Sequence, residues 1–491
     1  MTPHYKIDWL TGAPEGVDAL TLGRMALAEA VRTGQAPLLV HVARDDRRLE
    51  QLAAAIAFFT PAVKTLALPA WDTVPYDRIG PNAEIVARRI TTLSRLALSV
   101  QRKEPTILLT TANAIIQRLP PRDFLRASLR PLEGGQRLEM ERLAQRLVHS
   151  GYQRTGTVME AGEFAVRGGI LDVYPPGRQN PVRLDFFGDT LESIRAFDPE
   201  SQRSQKTVPK LVLMPISEVA FGEEAEKRFR QRYVECFGPV TGDDPLYQAI
   251  SSGQRYPGME HWLPLFHDTV ETLFDYVGDA PLSFDHQVDR AMADRHAQIA
   301  DHYKARVDGL ETEAFGAAAY KPVPPDQIFL SERAWQHALA KRTVRQFTPF
   351  EQAEGGGASV TSMGGRTGRS FHTERASAEP VSVFDLVRGH IRDQQAKARR
   401  VVITAWTPGA RERLTQLLKD HGIAAEELAR VETMTEAEAL PIRTVAMGVL
   451  GMEHGFETLD LVVIGEQDIL GDRLVRPRRK ARKAADVITE A

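Results

Sequence analysis

Cysteine is nearly absent from this chain: Cys236 is the single one among 491 residues. No disulfide can form within the chain and no cysteine zinc cluster exists, which fits a reducing compartment, so a cytoplasmic location is expected. Charge of one sign is equally scarce, since 62 Lys and Arg against 65 Asp and Glu leave a net charge of -3. That balance gives no global attraction to nucleic acid, and any DNA contact has to come from a local basic patch. Long apolar runs are missing too. None reaches the roughly 18 residues needed to cross a bilayer, and Met1 to Asp8 has no signal-peptide core. No membrane partner is expected.

Catalytic motifs are also missing. A nucleotide-driven motor needs Gly-x-x-x-x-Gly-Lys followed by Ser or Thr, because backbone amides cradle the phosphates, the lysine neutralises them and the hydroxyl holds magnesium. The nearest segment is Thr11-Gly-Ala-Pro-Glu-Gly-Val-Asp18. With Gly16 aligned on the second glycine of the motif, Val17 replaces the lysine and Asp18 the hydroxyl, while Pro14 removes an amide donor. Gly12, Gly16, Val17 and Asp18 are therefore expected to form a degenerate, non-binding nucleotide loop, with no cofactor in this chain. Asp-Glu-x-His, His-Glu-x-x-His and Gly-x-Ser-x-Gly are absent, and Glu453-His454 has no second histidine four residues on for zinc. His261 and His267 flank Trp262, Pro264 and Phe266, which favours a packed loop over a metal site. Asp243-Asp244, between Gly242 and Pro245, reads as turn chemistry. No catalytic residue and no metal ligand is singled out, so this chain is expected not to be an enzyme.

What is present is concentrated between Arg167 and Arg203. Gly168 and Gly169 let the backbone turn, Ile170, Val173 and Tyr174 suit a short strand, and Pro175-Pro176-Gly177 ends it. A second strand runs from Val182 to Phe187. Alternation puts Val182, Leu184 and Phe186 on one face, and Arg183, Asp185 and Phe187 on the other. An aromatic ring between charges on an outer face points to contact with a partner. The bland alternative is that Arg167 and Arg183 pair with Asp172, Asp185 or Asp189, and that Phe187 packs under a neighbouring loop.

This segment resembles the second domain of the transcription-repair coupling factor (Mfd) family, itself similar to a domain of the excinuclease subunit UvrB. Both families use the domain to bind UvrA, and the contact residues implied by the resemblance are Arg167, Arg183 and Phe187. Three further segments carry the likeness. Leu68-Pro-Ala-Trp-Asp-Thr-Val-Pro-Tyr-Asp-Arg78, with Pro81-Asn82 and a helix bearing Arg88, Arg89 and Leu93, resembles the first domain of the family. His454-Gly-Phe-Glu-Thr458 and Glu466-Gln-Asp-Ile-Leu-Gly-Asp-Arg-Leu-Val-Arg476 resemble the third. A degenerate nucleotide loop is also the state of the first domain in that family.

The expected fold class is α/β and multidomain: a UvrB-like degenerate helicase-type parallel-sheet domain with an inserted α+β docking domain, followed by a small α/β third domain. Residues 1–119 and 211–348 form the two parts of the UvrB-like domain and residues 120–210 the docking domain. Residues 349–379, Gly- and Ser-rich from Glu354 to Thr373, read as a flexible linker. Residues 380–472 form the third domain. Residues 473–491, with seven basic side chains between Arg473 and Lys483, read as a solvated linker toward an absent polymerase-binding domain, or as a phosphate-following tail.

By the resemblance, the chain recruits UvrA to lesion-stalled RNA polymerase in transcription-coupled nucleotide excision repair. RNA polymerase, double-stranded DNA, ATP and Mg2+ are engaged by C-terminal domains that form an ATP-dependent translocase and are absent from these residues. The chain is expected to be a monomer, and a fragment or truncated product whose docking face is permanently open. The competing readings are a UvrB-like excision-repair subunit, which would need an intact phosphate loop, and an independent DNA-binding enzyme.

Overall fold

The computed structural model describes residues 5–98, 102–240, 244–311, 320–352, 359–372 and 382–471. The chain divides into two compact units, residues 1–11 with 20–362, and residues 12–19 with 363–491.

In the first unit, continuous apolar runs such as Leu38–Ala43 and Thr106–Thr111 are buried along their whole length. Strands that read this way belong inside a parallel sheet covered on both faces. They sit in a seven-stranded sheet ordered Ser359–Ser362, Lys6–Thr11, Thr343–Phe347, Leu282–Phe284, Leu38–Ala43, Thr106–Thr111, Lys64–Leu68. Every pairing in it is parallel. The helices that cover it begin on side-chain caps, Asp45 accepting from the Arg48 amide at 2.7 Å and Asn82 from the Glu84 amide at 2.9 Å. Strands from before and after the inserted module interleave in this sheet, so the two flanks share one core.

The inserted module is a second sheet, ordered Ser204–Thr207, Thr190–Phe197, Val182–Phe187, Ile170–Val173, Glu163–Arg167, Gln153–Arg154. The helix Met140–His149 lends Leu143 and Leu147 to the core on its inner face. Lys210–Leu213 pairs with Arg130–Glu133, which carries the module past Lys210, where the sequence alone placed its end.

In the second unit, Leu428–Arg430, Val445–Val449, Arg400–Ala405 and Leu461–Gly465 lie side by side in parallel. Phe456–Glu457 and Arg366–Thr367 are added antiparallel at one edge. The helices Val383–Ala396 and Pro408–Asp420 pack on this sheet.

The stretch Glu354 to Thr373, read above as a flexible linker, differs from that reading. Ser359–Ser362 is an edge strand of the first sheet and Arg366–Thr367 an edge strand of the second unit. Edge strands are held by backbone hydrogen bonds more than by side-chain burial, so a polar Ser/Thr/Gly sequence can form them without an apolar pattern. Residues 354–358 and 373 of that stretch, and the basic tail 473–491, lie outside the described residues, as does Asp243. Asp244 caps the helix Pro245–Ser251 by accepting from the Tyr247 amide at 3.1 Å.

Candidate docking face

The inserted sheet has an inner and an outer face. Phe164, Leu171, Val173, Val182, Leu184, Leu191 and Ile194 share one buried core, so the residues alternating with them point outward. Arg167, Asp172, Arg183, Asp185 and Phe187 all fall on that outer face. The division of Val182–Phe187 into two faces is the one that its alternation predicts.

Two hairpin tips meet at one end of this face. Glu163–Arg167 turns through Gly168-Gly169 into Ile170–Val173, and Val182–Phe187 turns through Gly188-Asp189 into Thr190–Phe197. Ile170 pairs with Asp185, so both turns project beyond the same edge. Gly188 takes φ +55, the left-handed region that a two-residue hairpin turn requires. The Phe186 amide donates to the Gly169 carbonyl at 2.7 Å, and a Cβ at Gly169 would sit 2.8 Å from the Phe186 oxygen. The close approach of the tips therefore needs glycine there. A bulge between Asp185 and Phe186 shifts the register just before the tip, a device that re-aims side chains.

The three candidate contact residues are in different states. The Phe187 ring is 77% exposed, which overturns the alternative of packing under a loop. Arg167 is exposed and pairs with none of the three aspartates. Its guanidinium donates to the Gly156 carbonyl at 2.8 and 3.2 Å and to the Thr157 hydroxyl at 3.1 Å. Arg183 follows the bland alternative in part, because its Nε and Nη2 donate to the two carboxylate oxygens of Asp172 at 2.7 and 2.9 Å. The hydrogen bonds it donates to Asp172 push the already cationic guanidinium further up. Its carbon lies 4.8 Å from the centre of the Phe197 ring. Arg195, opposite Arg183, forks onto Asp185 at 3.0 Å through both Nε and Nη2.

Sequence reasoning named Asp172 only as one possible ion partner and missed the support from Phe197. The pairing register, Arg183 opposite Asp172, is what joins them, and a strand pattern without its register cannot reveal it.

The Trp71 and Arg89 motif lies elsewhere in the first unit and builds a buried clamp. Arg89 Nε and Nη2 donate to the Glu218 carboxylate at 2.5 and 3.1 Å, and its Nη1 to the Pro69 carbonyl and to Gln117 at 2.7 and 2.9 Å. Trp71 Nε1 donates to Glu218 at 3.2 Å. Both charged partners are fully buried. Glu218 follows Lys210–Leu213, the last strand of the inserted module, so the pair fastens the returning chain to the first flank. His267 is packed beside it, its Nε2 2.9 Å from the Glu218 carbonyl, and burial pushes it down to about 4.

The candidate nucleotide loop belongs to the second unit. Val17 and Asp18 are buried. The Asp18 carboxylate accepts from the amides of Gly16 at 3.0 Å and Ala19 at 2.6 Å, at the start of the helix Val17–Thr33. A phosphate at a helix start would use the same donors and the same dipole. Gly365 donates to the Gly12 carbonyl at 3.0 Å, and a Cβ at Gly16, where φ is +98, would meet the Phe456 ring at 2.5 Å and Met452 at 2.6 Å. In the third-domain motif, Asp468 accepts from the Gly455 and Gly465 amides at 2.7 and 2.9 Å, and Glu457 pairs with Arg366 and Arg399 at 2.6 and 3.1 Å. Residues 472–476 of that motif lie outside the described residues.

Comparison with known proteins places names on two of these modules. Residues 131–219 match the UvrB interaction domain, and residues 394–469 match the D3 domain of MFD. The transcription-repair-coupling factor of Escherichia coli (strain K12) is 28% identical over 494 residues, covering 96% of this chain and 39% of the relative. That of Rickettsia bellii is 26% identical over 453 residues, covering 92% and 38%. That of Myxococcus xanthus is 30% identical over 474 residues, covering 91% and 38%. The chain thus spans less than two-fifths of the length of these curated relatives. With two domain matches and similarity along about nine-tenths of its length, the chain is similar to the transcription-repair-coupling factors and resembles their N-terminal part.

Proposed function

We propose that this chain recruits UvrA for transcription-coupled nucleotide excision repair, using the outer face of its UvrB interaction domain. The observation that carries this reading is the exposed Phe187 ring at a paired hairpin tip, on the same face and at the same end as Arg167. A large aromatic left in water beside an arginine is the composition of an interface anchor. Arg167, Arg183 and Phe187 are the contact groups of this reading, with Arg183 set back along its strand from the two tips.

The reading extends to the whole protein. Recruitment serves lesion-stalled RNA polymerase, while polymerase, double-stranded DNA, ATP and Mg2+ are engaged by the length of the relatives not matched here. The reading assigns no nucleotide chemistry to the loop Gly12–Asp18, and it is supported by the Asp18 carboxylate taking the Gly16 and Ala19 amides and by Val17 standing at the lysine position. Among the described residues no helix is long and apolar enough to cross a membrane.

The test is co-elution of the purified chain with UvrA on a sizing column, without polymerase, ATP or DNA. A stable complex is expected. Absence of a complex, together with tight binding to DNA alone at physiological salt, would replace recruitment by the DNA-binding reading.

A further inference from the structure

The docking face contains a buried carboxylate that a partner cannot reach. Asp172 is 2% exposed and Arg183 17%. We propose that Asp172 is a positioning residue for the docking face, acting on the partner through Arg183 and never by contact. The inference rests on the recruitment reading above and adds to it the residue that fixes its geometry.

Arg183 is held from three directions. Asp172 forks onto Nε and Nη2 at 2.7 and 2.9 Å. The Phe197 ring lies against the guanidinium, 4.8 Å from centre to carbon. Nη1 faces the Gln202 carbonyl and the Ser204 hydroxyl, both at 3.4 Å. The turn that presents Gln202 is itself fastened. Asp198 accepts from the Ser201 amide and hydroxyl at 2.7 and 2.8 Å, and the Gln202 amide group donates to Pro199 and Val158 carbonyls at 2.6 and 3.1 Å. Phe197-Asp-Pro-Glu-Ser-Gln-Arg203 is thus the wall of a cradle.

An arginine held this way presents one outward edge, with its rotamer freedom already spent in the free protein. Most of its donors are satisfied internally, so its value to a partner lies in where that edge stands. Loss of the Asp172 charge would free a long side chain on the same outer face as Arg167 and Phe187, set back along the strands from the hairpin tips that carry them, and would leave the guanidinium without its fork.

The experiment titrates UvrA into the unmodified chain and into Asp172→Asn, Arg183→Gln and the double variant, with a thermal melt of each. Asp172→Asn is expected to weaken binding about tenfold while melting cooperatively, and to add less than about twofold in the Arg183→Gln background, because the residue it positions is gone. A loose fold would instead impose its penalty in both backgrounds. If Asp172→Asn fails to melt cooperatively, Asp172→Glu, which keeps the carboxylate one carbon further out, is read in the same cycle. Binding by Asp172→Asn equal to the unmodified chain, or an equal loss in both backgrounds, overturns the proposal and leaves recruitment standing. No binding by the unmodified chain overturns recruitment and the proposal together.

Discussion

At the scale of single residues, the proposed docking face has groups open to a partner, such as Phe187, beside buried groups such as Asp172. Phe187 is mostly exposed and contributes little to the module's core, so Phe187→Ala should leave the melting temperature within about a degree while costing about 1–3 kcal/mol of UvrA binding. Calorimetry and a thermal melt read the two effects separately, and a large drop in stability would show that the ring is a packing residue. The Arg89–Glu218 pair should behave in the opposite way. Glu218→Gln leaves a buried guanidinium short of its charge partner, at a cost of about 3–5 kcal/mol in urea unfolding, because removing one member of a buried pair strands the other. A loss under about 1 kcal/mol would mean that the clamp is dispensable.

These residues were unequally legible beforehand. The outward aim of Phe187 followed from two-residue alternation, since its neighbours Val182, Leu184 and Phe186 are apolar. The pinning of Arg183 did not, because it depends on which residue of Ile170–Val173 stands opposite. Trp71 and Arg89 stood out only by resemblance, and nothing local connects them to Glu218, more than a hundred residues away in the chain.

At the scale of elements, the reading proposed for the loop between Lys6–Thr11 and Val17–Thr33 is a degenerate phosphate site filled from within. Asp18 supplies the negative charge that a phosphate would bring to the helix start. Equilibrium dialysis with ATP should therefore detect no binding in the micromolar range, and saturable binding there would contradict this account of the loop. Gly16→Ala should destabilise the second unit by about 1–3 kcal/mol, since a Cβ would press on Phe456 and Met452 at a positive φ. A thermal melt checks it, and an unchanged transition would show that the rings move aside freely. A central strand such as Arg400–Ala405 carries an apolar run, whereas Ser359–Ser362 and Arg366–Thr367 fall in the stretch read as linker. Their pattern is polar because edge strands expose most of their side chains.

At the scale of the whole molecule, three buried histidines make the first unit sensitive to acid. Burial pushes His41 down to about 3, and His261 and His267 down to about 4. An unfolded histidine takes up its proton near pH 6.5, so between about pH 6.5 and 4 the unfolded chain binds protons that the folded chain does not. Stability is then complete above that window and falls as pH drops through it. Melting temperatures at pH 7.5, 6 and 5 should decline in order, and a flat series would show that the histidines ionise in place.

The central claim is that this module is a recruitment surface read by UvrA. It is tested most directly by calorimetric titration of UvrA into the unmodified chain beside Arg167→Ala and Phe187→Ala, without polymerase or nucleotide. The account predicts a saturable complex with the unmodified chain and a loss of about 1–3 kcal/mol for each substitution. Absence of heat with the unmodified chain, or equal affinity for all three, would contradict it.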